Sequence, residues 1–218
     1  MRLSVETIKV LKNFSQINPS LIFKPGTELR TTSPTKTIIA IAQIEDEIIE
    51  SFAIGDLSRF LSVLSLFNDP ELVFSDKLVT IKSGSKKLNY TYASESVIVA
   101  PPWKELNVPS VEASFELTNE VLMDAVKGAS ILGLPQIAFV GDGEKVTLQA
   151  IDQKNSSGDV YSLELGTTNS TFKAIFKVEN INLLPGTYQV ELSKQGISKF
   201  ASENVTYFVA VEQTSTFE

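Results

Sequence analysis

Apolar and polar residues alternate with period two over much of the chain. Ile39–Ile44, Leu72–Phe74, Leu78–Ile81, Ile137–Val140, Val146–Ile151, Tyr161–Leu165, Phe172–Phe176, Tyr188–Leu192 and Val205–Val211 follow this pattern. They are rich in Val, Ile, Phe, Tyr and Thr, which predicts strands. Turn-forming sequences lie between them: Lys24-Pro25-Gly26-Thr27, Ser83-Gly84-Ser85, Gly141-Asp142-Gly143-Glu144, Pro185-Gly186 and Gln195-Gly196. Pro-Gly suits a type II turn, since Gly accepts a positive φ after the fixed φ of proline. Strand and turn follow each other closely, which predicts antiparallel meanders, because parallel neighbours need long crossovers.

Helical periodicity is confined to a few segments. In Val5–Ile17, Val5, Ile8, Leu11 and Phe14 share one side, and Ser4 is placed to cap the start. Lys9, Lys12, Asn13 and Gln16 occupy the opposite side. Asp56–Phe67 carries Leu57, Phe60, Leu61 and Leu64 on one face, with Arg59 and Ser62 turned away and Asp56 as N-cap. Asn119–Leu132 follows Thr118; Val121, Leu122, Ala125, Val126 and Ala129 face in, and Lys127 and Ser130 face out. A short fourth helix is expected over Glu179–Leu184, stopped by Pro185-Gly186.

These helices recur in order. Leu3-Ser4-x-Glu6 opens the first and Leu117-Thr118-x-Glu120 the third. Leu21-Ile22-Phe23 and Ile137-Ala138-Phe139 follow them, and Phe52-x-Ile54 and Phe176-x-Val178 precede the second and fourth. The ordered set suggests a duplicated unit of two helices and a strand meander. Between the copies, Pro101-Pro102-Trp103-Lys104-Glu105-Leu106-Asn107-Val108-Pro109-Ser110 holds too many prolines for an interior strand and reads as a stiff connector. The boundary falls near residue 105, giving domains 1–105 and 106–218. The fold class is α+β.

Composition narrows the chemistry. The chain has no Cys and no His, which removes disulfides, His- or Cys-ligated metals, cysteine nucleophiles and Ser-His triads. No P-loop, dinucleotide fingerprint or G-x-S-x-G occurs, and nothing nominates a carboxylate pair, so the chain reads as a non-enzyme without cofactor or metal. The Glu45-Asp46-Glu47 cluster with Glu50 reads as a solvated loop, and Gly141-Asp142-Gly143-Glu144 as a hairpin rather than a calcium loop. No apolar run is long enough to cross a membrane as a helix. The N-terminus lacks a signal-peptide pattern, so the sequons at Asn89, Asn155, Asn169 and Asn204 read as chance in a cytoplasmic protein. With 26 acidic and 19 basic side chains the net charge is -7, which leaves only a local basic face for a polyanion. The stripe of Lys9, Lys12, Asn13 and Gln16 fits either simple solubility or loose phosphate contact, the latter helped by Arg59 and Lys127 on other helices. Trp103 either covers a core edge at the junction or borders a groove for a partner's apolar anchor.

Leu11-Lys12-Asn13-Phe14-Ser15-Gln16-Ile17-Asn18 resembles the opening helix of the sliding clamps of T-even-type tailed phages. Ala53-Ile54-Gly55-Asp56-Leu57-Ser58-Arg59-Phe60-Leu61-Ser62-Val63-Leu64-Ser65-Leu66-Phe67-Asn68-Asp69 resembles their second helix. Val99-Ala100-Pro101, Pro185-Gly186-x-Tyr188 and Tyr207-Phe208-Val209-Ala210-Val211-Glu212 are similar as well, in the same order along nearly the whole chain.

The resemblance implies a DNA-clamp fold, with two similar domains, each having two helices packed on antiparallel sheet, assembled as a homotrimeric ring around duplex DNA. It implies a processivity factor that tethers the replicative DNA polymerase, is opened by an ATP-driven clamp loader, and serves late viral transcription, in the cytoplasm of an infected bacterial host. The DNA-facing residues would then be Lys9, Lys12, Asn13, Gln16, Arg59, Lys127 and Lys177. Partner peptides would dock on Val99, Pro101, Pro102, Trp103 and Val108 together with Phe208, Val209 and Val211 of the last long strand. The competing reading from another class is a non-enzymatic trimeric phage structural or adhesion module without a DNA role.

Overall fold

Local capping starts each helix where the sequence places a short polar side chain. Helix α1 spans Val5–Ile17, and the Ser4 hydroxyl accepts the Thr7 N–H. Asp56 accepts the Arg59 N–H at the start of α2, Leu57–Leu64. Thr118 caps α3, Asn119–Leu132, which ends on Gly133 in the left-handed conformation. The computed structural model describes residues 1–218 apart from Ser156, the middle residue of the Asn155 sequon. It divides into two units, Met1–Trp103 and Lys104–Glu218.

In the first unit α1 is followed by β1 (Leu21–Phe23), β2 (Gly26–Thr32), β3 (Ile38–Ile48) and β4 (Phe52–Ile54), then α2, then β5 (Glu71–Ser75), β6 (Leu78–Ser83) and β7 (Lys86–Thr91). Strand β1 pairs with β4, β2 with β3, and β5-β6-β7 form a meander, all antiparallel. In the second unit β8 (Ala113–Leu117) leads into α3. Then come β9 (Gln136–Asp142), β10 (Lys145–Ile151), β11 (Tyr161–Thr167), β12 (Thr171–Lys177), a 3-10 turn at Val178–Asn180, β13 (Tyr188–Leu192), β14 (Ile197–Ala201), β15 (Val205–Ala210) and β16 (Thr216–Phe217). Here β9 pairs with β12, β10 with β11, and β13-β14-β15 form the meander. Both units contain the run helix, four strands, helical segment, three strands and share these pairings; the second adds β8 and β16 at its ends and also pairs β9 with β10, β8 with β13 and β12 with β16. The duplication read from the sequence is a duplication of topology.

Each unit closes over its own aromatic core. In the first, the rings of Phe23 and Phe52 stack at 4.3 Å, and Phe74 and Tyr92 lie 5.0 and 5.4 Å from Phe52. In the second, Phe139 meets Phe115, Phe176 and Phe200 at 5.3, 5.8 and 6.1 Å. Helix α3 lies close to β11 because position 128 has no side chain: a Cβ there would sit 2.6 Å from the Tyr161 ring.

Several expectations need correction. Residues Glu179–Leu184 do not form a helix; only Val178–Asn180 make a 3-10 turn. The backbone beyond is held by side chains instead. The Leu184 N–H donates to the Tyr207 hydroxyl, and the Tyr188 hydroxyl donates to the Leu184 carbonyl. The Gly186 N–H donates to Asn119 Oδ1, and Gly186 is not among the positive-φ glycines, so Pro185-Gly186 is not the expected type II turn. Helix α2 stops at Leu64, short of Phe67. Val5 is 71% exposed, because the inward face of α1 runs through Thr7, Val10, Leu11, Phe14 and Ile17. Glu45, Asp46 and Glu47 lie on the end of β3, not in a loop, and Asp46 accepts the Ser4 N–H.

Burial of Tyr188 and Tyr207 pushes both phenol pKa values up, since a phenolate there would lose its hydration. A raised folded-state pKa contributes stability that is present below the unfolded value of about 10 and is lost as pH rises above it. The urea midpoint is therefore expected to stay level from pH 7 to 9 and to fall above about pH 10. Changing both tyrosines to Phe should lower the midpoint at pH 7 and flatten that alkaline fall, which urea curves at pH 8, 10 and 11 will read.

Candidate nucleic-acid interface

Lys9, Lys12 and Gln16 follow one another at helical spacing and are all exposed on α1. Asn13 is different: it is among the buried residues of the helix, 9% exposed, and so lines the inner flank of the stripe. Lys9 pairs with Glu6 at 2.8 Å on the helix surface, where both groups remain largely in water. Lys12 stands at the edge of a cavity of about 200 Å³ whose walls include Leu3 and Ile8 near α1 and Leu61 and Leu64 of α2. Arg59 projects from the first turn of α2 and is exposed. Among the described residues, Lys12, Arg59 and Lys127 make no ion pair within 4.0 Å, so their charge is available to an outside anion.

In the second unit Lys127 is exposed on the outward face of α3. It stands between Met123 and Ile131, 51% and 73% exposed, one helical turn to either side. Asp124 and Glu120 on the same helix are exposed as well, so this face is mixed in charge. Lys177 ends β12 and lies 3.9 Å from Glu179. The structure thus presents cations on the exposed sides of all three helices, spaced singly rather than as a dense basic patch. Such spacing suits loose attraction to phosphates and offers no set of groups for reading bases.

The connector start is tied to the first unit. Val99 is 40% and Trp103 37% exposed, Pro101 is buried, and Pro102 is exposed. The Trp103 ring has Lys24 Nζ 4.5 Å and Arg30 Cζ 5.4 Å from its centre. Arg30 also donates to the Pro102 carbonyl at 3.0 Å and pairs with Glu28 at 2.6 Å. Val108 and Val211 are half-buried. Phe208 and Val209 are 3% and 0% exposed: β15 is covered on both faces, so the expected alternation of buried and open positions does not hold there. Lys24 and Arg30 were missed by sequence reasoning. The Lys24-Pro25-Gly26 turn is visible in the sequence, but its proximity to Trp103 is not.

The Gly141–Glu144 turn is a hairpin between β9 and β10. Asp142 Oδ1 accepts the N–H groups of Glu144 and Lys145, which lowers the Asp142 pKa from its ordinary value. Among the described residues, no group of three or more acidic side chains is gathered as for a metal. No described helix is long and apolar enough to cross a membrane.

Comparison with known proteins agrees with this architecture. Residues 4–100 match the family model described as DNA polymerase processivity factor, and residues 114–213 match that of the gp45 sliding clamp, C terminal. The chain is 34% identical to the sliding clamp of Vibrio phage KVP40, over 97% of this chain and 99% of that one. It is 32% identical to the sliding clamp of Enterobacteria phage T4 over the whole of both. Among solved structures, A. fulgidus PCNA, determined with the C-terminal region of FEN-1, superposes with a TM-score of 0.71 at 16% identity, covering 96% of each chain. A putative DNA polymerase III beta subunit from Eubacterium rectale gives 0.72 at 14% identity, covering all of this chain and 66% of that one. These two likenesses concern the fold.

Proposed function

From the premise that the chain belongs to the sliding clamps of T4-like phages, which are DNA polymerase processivity factors, we propose that it closes into a homotrimeric ring around duplex DNA and tethers the replicative polymerase. The observation that carries this reading is the doubled topology, in which β7 of the first unit and β11 of the second, the outer strand of each, stand at sheet edges. By contrast, the edge of β5 is covered, where the Met1 amine donates to the Leu72 carbonyl and the Leu72 N–H to the Met1 carbonyl. Open edges seek partners. Pairing β7 of one copy with β11 of the next is a head-to-tail contact, which generates a ring when the rotation closes. Exposed apolar groups stand ready near both edges, with Leu66 just beyond α2 and Ile131, Leu132 and Val160 in the second unit.

In such a ring Lys9, Lys12, Gln16, Arg59, Lys127 and Lys177 face the DNA, with Asn13 behind them. Encirclement makes strong affinity unnecessary, and weak phosphate contacts leave the ring free to slide. The clamp makes and breaks no covalent bond. A polymerase held on it rebinds at high effective concentration after each dissociation. An ATP-driven loader opens the ring, and late-transcription factors use the same carrier in the host cytoplasm. Partner peptides dock on Val99, Pro101, Pro102 and Trp103 at the end of the first unit. Phe208 and Val209 are too deeply buried to serve as contacts.

Light scattering at micromolar concentration is expected to give three chain masses; a monomer at every concentration would refute the ring. Trp103→Ala is expected to weaken binding of the polymerase's C-terminal peptide roughly thirtyfold, as for loss of an interface anchor, while the ring still assembles. Titration of the peptide, followed by Trp103 fluorescence in the wild type, measures this. Unchanged affinity would move the pocket elsewhere.

A further inference from the structure

Asn18 stands at the C-terminal end of α1 and is 3% exposed. Its side chain uses its full hydrogen-bonding capacity. Nδ2 donates to the Thr32 carbonyl at 2.8 Å and to the Val99 carbonyl at 3.0 Å. Oδ1 accepts the Ser20 N–H at 2.9 Å and the Ser20 hydroxyl at 3.0 Å. Its backbone N–H closes the helix on the Phe14 carbonyl at 2.9 Å. An amide has two donor hydrogens and two acceptor lone pairs, and all four are engaged. One of these bonds spans 81 positions in sequence and reaches Val99, two residues before the proline-rich connector.

We infer that Asn18 is the positioning residue of the partner-docking connector: its amide pins Val99 to the end of α1 and holds Val99–Trp103 as a preset rail before any partner arrives. The functional part of this inference rests on reading Val99–Trp103 as the partner surface. Three further contacts act along the same rail. Pro101 is buried, Arg30 holds the Pro102 carbonyl, and Lys24 and Arg30 flank Trp103. Two consecutive prolines already restrict the backbone there. The Asn18 bond fixes the end at which the rail leaves the fold. A surface ordered in advance loses less conformational entropy when a peptide packs on it, so the pin acts on partner affinity without touching the partner. Asn is required in chemical terms, because Asp of the same shape offers no donor to either carbonyl and Ala offers nothing.

The test uses the full chain with Asn18→Asp, which keeps the acceptor side facing Ser20 and removes both donors, and Ser20→Ala as control. Hydrogen exchange at the Ile98 amide, which adjoins Val99 and donates to the Glu95 carbonyl at 3.1 Å, is expected to quicken about tenfold or more in Asn18→Asp through local opening and to stay unchanged in Ser20→Ala. Affinity for the polymerase's C-terminal peptide is expected to fall about tenfold with the oligomeric mass retained. If circular dichroism shows that Asn18→Asp does not fold, Asn18→Ala is read in the same way. Unchanged exchange at Ile98 in a folded variant would overturn the pin. Quickened exchange with unchanged peptide affinity would overturn its role in binding. A peptide that fails to bind the wild type refutes the partner-surface reading, and the exchange measurement still decides the pin.

Discussion

Changing Lys9, Lys12, Arg59 and Lys127 together to Glu is expected to cut processive synthesis at least about tenfold at physiological salt, because each lost phosphate contact weakens a counterion-release interaction that multiplies with the others. All four are exposed on helices, so none should disturb the core. The contributions are unequal. Lys9 already spends its charge on Glu6, and Lys127 shares its helix with Asp124 and Glu120, whereas Lys12 and Arg59 have no ion-pair partner among the described residues. Lys12→Glu and Arg59→Glu are therefore expected to have the largest single effects. Salt should weaken loading of the wild type more than that of the quadruple variant, since screening acts on the attraction the variant lacks. Primer extension with a polymerase trap, across a salt series, measures this. Equal product lengths at physiological salt would remove these residues from the DNA-facing surface.

Phe139→Ala is expected to destabilise the second unit by about 3–5 kcal/mol, the usual cost of emptying a large aromatic site in a core that cannot collapse into it. Phe139 is fully buried and touches the rings of Phe115, Phe176 and Phe200, which come from β8, β12 and β14. The ring thus joins both sheets of that unit. A loss of this size is a large share of a domain's total of about 5–15 kcal/mol. Phe139→Leu should cost less, because it leaves a smaller void. Urea unfolding followed by circular dichroism checks both. A cost for the Ala variant below about 1 kcal/mol would mean that the aromatic cluster is not what holds the sheets together.

The legible parts of the fold were those written locally. Ser4, Asp56 and Thr118 announce helix starts because a cap acts within three residues, and the structure uses all three. The alternating segments became strands for the same reason. Strands β2, β4, β7, β8, β14 and β16 were not foreseen. In β7, Lys86-Lys87-Leu88-Asn89-Tyr90-Thr91 is mostly polar because one face and one edge are open. In β8, Ser114 and Glu116 alternate with Ala113, Phe115 and Leu117, a period-two signal that is present but only five residues long. The missing fourth helix shows a tertiary override: two tyrosine hydroxyls from β13 and β15 take the Leu184 backbone groups that a helix would have used.

The candidate site was legible in the same proportion. Outward cations on helices follow from periodicity, and Lys9, Lys12, Arg59 and Lys127 are exposed as expected. The interior of the stripe was misjudged at Asn13, since helical period alone does not say how deep a flank sinks. Phe208 and Val209 were misjudged because a strand covered on both faces hides both sets of side chains. What surrounds Trp103 was beyond reach, because Lys24 and Arg30 arrive from more than seventy positions away and a cation–π contact leaves no local pattern.

A closed ring holds DNA by topology and not by chemical affinity. The most direct measurement loads it with its cognate loader onto a nicked circular duplex, removes free protein, and then cuts the circle once. A ring is expected to stay on the closed circle through a salt wash and to leave within minutes of linearisation, unless both ends are blocked. Retention on the cut, unblocked duplex, or loss from the intact circle at the same rate, would contradict the account.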